Sequence, residues 1–118
     1  MVKAEINSYR SLKEGWDGEG SIRPPDETLD NAIGFVDSLG SLLELIDEDY
    51  VYPTGDGTII IDFQNGKSDL ASVEIGQKSI GYFFQAEGRI TEVDSYEICN
   101  EGYLSPKLQS LIESIKNK

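Results

Sequence analysis

The sequence contains no histidine. That absence removes the side chain that titrates near neutrality and the commonest transition-metal ligand. A Ser-His-Asp triad, a Cys-His pair and a two-histidine metal face are therefore excluded. The single cysteine, Cys99, rules out an internal disulfide framework and fits a reduced, cytoplasmic setting. It stands between Glu97 and Glu101, and neighbouring negative charge disfavours a reactive thiolate. No apolar run approaches the ~20 residues of a membrane-spanning helix. The opening residues, MVKAEINSYRSLKEG, lack the apolar stretch of a secretion signal. Cations are scarce too: ten Lys and Arg stand against 22 Asp and Glu, a net charge of −12. Binding a phosphate backbone needs clustered cations, so neither direct nucleic-acid contact nor a membrane surface is expected. A field of this sign attracts basic proteins.

What is present is an ordinary globular composition, 38% hydrophobic and 27% charged over 118 residues, which fits one domain spanning 1–118. The charge is uneven. Between Pro24 and Gly66 there are ten acids and no Lys or Arg. A solvated face that keeps the chain soluble is the plain account of such a run. The sharper one is an acidic docking surface, carried by Asp30, Asp37, Glu44, Asp47, Glu48 and Asp49.

Helical spacing of Val2, Ile6, Tyr9 and Leu12 predicts a first helix over Val2–Glu14, stopped by Gly15. A second helix is expected after Pro24 and Pro25, with Asp26 as its N-cap. Its apolar stripe is Leu29, Ala32, Ile33, Val36, Leu39, Leu43 and Ile46, with Gly40 as a point of bending or breakage. From Tyr50 the period becomes two. YVYP, TIIIDFQNG, DLASVEIG, SIGYFFQAEG and RITEV alternate with glycine turns, the signature of an antiparallel meander of four or five strands.

The first long hairpin poses a register problem. A two-residue Asn65-Gly66 turn would set Asp62 opposite Asp69 and the face of Ile59, Ile61 and Phe63 against the wrong face of the next strand. A loop of three or five residues joins the apolar faces instead, and is the expected form. Tyr82 and Phe84 fall on one face of the following strand and Phe83 on the other. Ser105 and Pro106 open a final helix whose buried stripe is Leu108, Leu111, Ile112 and Ile115. The fold class is thus α+β: two N-terminal helices, a meander sheet, and a C-terminal helix packed on one face.

The loop GWDGEG, Gly15 to Gly20, holds the only Trp. It follows a helix rather than a strand and no Lys-Ser/Thr follows it, so it fits no phosphate loop. Asp17, Glu19 and Ser21 alternate like calcium ligands, but Arg23 stands where another ligand belongs. The favoured reading is a structural corner: Trp16 fills the gap between the first helix and the sheet, its indole N–H meets a backbone carbonyl, Asp17 accepts N–H groups of its turn, and the glycines supply positive φ. Asp62 and Glu74 share the outer face of the first hairpin, with Glu92 or Asp94 nearby, yet nothing implies the cleft a carboxylate pair would need. No metal or cofactor is expected.

The pattern L-x-x-G-W-D-G-x-G, followed by a Pro-flanked acidic helix and Y-P-T-x-D-G-x-I, resembles a group of small proteins of bacteria and phages with no assigned activity. It covers about Leu12 to Phe63. The Gly18-Glu19-Gly20-Ser21 stretch departs from it in detail. The resemblance implies that the loop of Trp16, Asp17 and Gly18 packs against the turn of Asp56 and Gly57, and carries over no site. Together these observations point to a non-enzymatic, inhibitor-, antitoxin- or immunity-like protein. Its expected partner is a basic toxin, nuclease or nucleic-acid-binding protein. A nucleic-acid mimic blocking a nuclease, and a self-assembling module using a free sheet edge, are the rival readings.

Overall fold

The computed structural model describes residues 2–46, 48–65 and 69–117. The elements are α1 (Val2–Ser8), α2 (Asp26–Asp37), β1 (Val51–Pro53), β2 (Ile59–Gln64), β3 (Leu70–Ile75), β4 (Ser79–Ala86), β5 (Arg89–Glu97), α3 (Ile98–Glu101) and α4 (Pro106–Lys116). Short 3-10 turns cover Tyr9–Ser11, Gly40–Leu45 and Glu48–Tyr50. The five strands pair in chain order, each antiparallel to the next. This is the expected α+β fold.

The core lies between one sheet face and the helices. Period-two alternation places Ile59, Ile75 and Ile80 in one cross-strand row, Ile61, Val73 and Tyr82 in the next, and Phe63, Ala71 and Phe84 in a third. Against them pack Ile6 and Tyr9, Leu29, Ala32, Phe35 and Val36 of α2, and Leu108, Ile112 and Ile115 of α4. Phe35 meets Phe63 edge-on at 6.2 Å. The first hairpin takes the longer loop: Gln64 pairs with Leu70 and Asp62 with Ser72, leaving residues 65–69 as the connection. The like-charge opposition is avoided and both apolar faces point inward.

Local rules were overridden at three places in the helices. α1 ends at Ser8, not Glu14, because Ser8 and Ser11 hydroxyls bond back to the Glu5 and Ser8 carbonyls and Leu12 is extended. Pro25, not Asp26, occupies the N-cap of α2, and Asp26 turns its carboxylate to Arg10 and Arg23. α2 stops at Asp37, and Gly40 adopts φ +58°. The 3-10 turn that follows has three residues per turn, so Leu42 and Leu45 point inward and Leu43 is left 40% exposed. Glu48 and Asp49 therefore do not end the α2 dipole. α4 begins as expected, with the Leu108 N–H donating to Ser105 Oγ and Pro106 in the first turn.

Candidate functional site

Of the acids singled out in the sequence, Asp30 and Asp37 lie on α2 and Glu44 on the 3-10 turn after it, and internal cations hold all three. Arg10 reaches Asp30 at 2.6 Å and Asp26 at 3.3 Å. Its bond to Asp30 is the main cause raising its pKa above the ordinary value. Lys3 meets Asp37 at 2.8 Å, and Lys116 meets Glu44 at 3.7 Å. Asp49 is exposed in its 3-10 turn, Glu48 opens that turn, and Asp47 lies outside the described residues. A surface that looks unopposed along the chain is thus partly neutralised in space. The neutralising residues come from α1, from the 3-10 turn Tyr9–Ser11 and from α4, all outside the acidic run in sequence.

The Trp16 corner is built mostly from its own backbone. Gly15 N–H donates to the Ser21 carbonyl, and Gly18 N–H to the Gly15 carbonyl. Gly15, Gly18 and Gly20 all have positive φ. Trp16 Nε1–H donates to the Ile22 carbonyl at 2.8 Å. Two expectations need correction. Trp16 stays half-exposed and outside the core, because its indole is satisfied within the loop rather than over the sheet. Asp17 does not cap the turn; Ser21 Oγ accepts the Asp17 N–H at 3.0 Å and donates to the Gly18 carbonyl.

What fixes the corner is the next pair of residues. Ile22 N–H donates to the Gly55 carbonyl at 2.9 Å, in a bridge with Asp56. The Ile22 side chain lies over Gly57, which is buried at φ +84°. Arg23 donates to the Arg10 carbonyl at 2.7 Å. The loop and the Pro53–Gly57 turn do pack together. Among the described residues no group of three or more His, Cys, Asp or Glu is placed to hold a metal ion.

Among the described residues, no helix packs on the other face of the sheet. Register puts Tyr52, Ile60, Glu74, Gly81 and Ser95 in one row, Asp62, Ser72, Phe83 and Val93 in a second, and Gln64, Leu70, Gln85 and Ile90 in a third. No Lys or Arg occurs in these rows. Tyr52, Ile90 and Val93 are 43%, 59% and 74% exposed, while Ile60, Leu70 and Phe83 are half-buried. A shallow groove of about 280 Å³ runs beside Gly81, between Ile60, Phe83 and Val93. Asp62 accepts from Ser72 at 2.6 Å and from Tyr52 at 3.4 Å, and Glu74 accepts from Thr58 at 2.7 Å. Burial, then the Asp62 charge, raises the Tyr52 pKa. Glu92 and Asp94 do not join Asp62 and Glu74; opposite Phe84 and Tyr82 they lie on the helix side and meet Lys107 at 3.1 and 3.6 Å.

Alternation along the strands marks this face as the outer side of the first hairpin, with Asp62 and Glu74 on it, but does not single out the exposed Tyr52, Ile90 and Val93. Phe83 beside Tyr82 and Phe84 was the available signal. Comparison with protein-family models, curated proteins and solved structures finds no match for this chain.

Proposed function

We propose that this is a non-enzymatic interaction protein, of the inhibitor, antitoxin or immunity kind, that docks on a basic protein. The observation that supports it best is the open sheet face. It joins exposed Tyr52, Ile90 and Val93 to the carboxylates of Asp62 and Glu74, with no cation in its rows. Aromatic and branched side chains supply area to desolvate, and the two acids select a partner of opposite charge and speed its approach. The docking surface is therefore assigned to the sheet rather than to Asp30, Asp37 and Glu44, whose own cations compete with any partner. The same pairs count against a nucleic-acid mimic, which needs carboxylates left available in a phosphate-like array.

The test is a photo-reactive benzoyl-phenylalanine in place of Tyr52, or in place of Glu44 on the helix side, followed by irradiation in bacterial extract. The expected result is a basic protein joined through position 52 and lost at high salt. Capture through position 44 alone, or no basic protein from either, would overturn the proposal.

A further inference from the structure

The two edges of the sheet are unlike. β1 is three residues long and ends in Pro53, a short edge that discourages further pairing. β5 runs from Arg89 to Glu97 and is the last strand in the order. Its start is bulged, since Phe84 pairs with Glu92 and Gln85 with Ile90, leaving Thr91 extra. From Glu92 to Glu97 the pairing with β4 is continuous, so this stretch presents a regular outer edge. It holds none of the Lys or Pro residues that usually blunt an edge. The Ser95 N–H is instead occupied by the carboxylate next to it, Asp94 Oδ1, at 2.8 Å. A backbone donor held by a neighbouring side chain is one that faces away from β4.

The chemistry of the edge selects its occupant. In a two-fold antiparallel pairing of β5 with a second copy, registers centred on Glu92, Val93 or Asp94 set carboxylate against carboxylate. Like charges directly opposite each other are destabilising, and each copy carries a net charge of −12. A cationic strand meets the reverse situation. Its basic side chains fall beside Glu92 and Asp94, a pair that the single Lys107 leaves with one uncompensated negative charge. Its alternate side chains fall on the open face beside Val93, which is 74% exposed.

We propose that β5 binds an extended, basic segment of the partner as a sixth strand, with alternating Lys or Arg and apolar residues. An incoming carbonyl takes the Ser95 N–H, and the released Asp94 carboxylate turns to an incoming cation. This rests on the assignment of a basic partner and adds to its contact with the sheet face a second one along the edge of β5.

The test uses an end-capped ten-residue peptide of alternating Lys and Val, titrated into nitrogen-15-labelled protein. The controls are a Glu-Val peptide and a Lys-Val peptide N-methylated at alternate residues. The expected result is slowed amide exchange at Val93 and Ser95, at least tenfold weaker binding of both controls, and a similar loss in Val93→Lys. The side chain of Val93 is exposed, so that variant keeps its fold, which the rest of the spectrum verifies. Shifts at Ile60 and Phe83 without slowed exchange in β5 would overturn strand addition and leave face docking standing. Equal binding of the N-methylated peptide, absence of any binding, or protection of β5 by a dimer of the protein alone would also overturn it.

Discussion

Gly57→Ala isolates the contact that pins the Trp16 corner to the sheet. Gly57 is buried with φ +84°, and a Cβ added there would stand 2.9 Å from Ile22 Cδ1 and 3.1 Å from Ile22 Cγ1. Two costs follow. Holding an L-residue in left-handed space costs about 1–2 kcal/mol. Ile22 is 44% exposed and can swing outward, so relieving the contact costs only a displaced rotamer, about 0.5–1.5 kcal/mol. The sum is about 1.5–3.5 kcal/mol. At a urea dependence of about 1–3 kcal/mol per molar, the unfolding midpoint falls by about 0.5–3.5 M. Far-ultraviolet circular dichroism in urea measures the shift. An Ile22→Ala background separates the terms: there Gly57→Ala loses the steric part and keeps the backbone part, a coupling of about 0.5–1.5 kcal/mol. An identical cost in both backgrounds would show that Ile22 does not lie over Gly57. No cost in either would refute the left-handed turn itself.

Three further outcomes are expected. Trp16→Ala costs about 1–2 kcal/mol, the loss of one hydrogen bond and a half-exposed ring, and not the roughly 3–5 kcal/mol of a core aromatic; thermal unfolding decides. Leu42→Ala costs about 2–5 kcal/mol while Leu43→Ala stays within about 1 kcal/mol, and equal costs would contradict the 3-10 phase after Gly40. The Tyr9 hydroxyl donates to the Val51 carbonyl at 2.9 Å, and burial first, then Glu5, raises its pKa well above the usual 10. Because the folded pKa is the higher one, the unfolded chain loses its proton first. Stability is therefore full below pH 10 and declines as pH rises beyond it. Tyr9→Phe should cost about 1–2 kcal/mol at neutral pH and flatten the alkaline decline, and an unchanged slope in alkaline urea titrations would count against the burial of this hydroxyl.

The sheet was legible in the sequence because each strand alternates over a full segment and glycine marks each turn. Face parity and the Asp62–Asp69 conflict even favoured a loop of three or five residues in the first hairpin over the two-residue turn. The helices were less legible. Their stripe continues in sequence through Gly40, but a positive φ there resets the phase, and Phe35, absent from the expected stripe, becomes central to the core. The candidate surface was hardest to read. Lys3 and Asp37, or Arg10 and Asp30, are remote in the chain, and only tertiary packing makes them neighbours. Charge counted along a window gives composition; charge at a surface depends on which elements fold over it.

The position of Trp16 has a practical corollary for spectroscopy. The only indole of the chain sits in a corner closed by a few hydrogen bonds and one isoleucine, outside the core. Its emission will report the opening of that corner, whereas circular dichroism reports the sheet and helices. A fluorescence transition that precedes the dichroic one would mark local release of residues 13–22, not a partly folded intermediate of the domain.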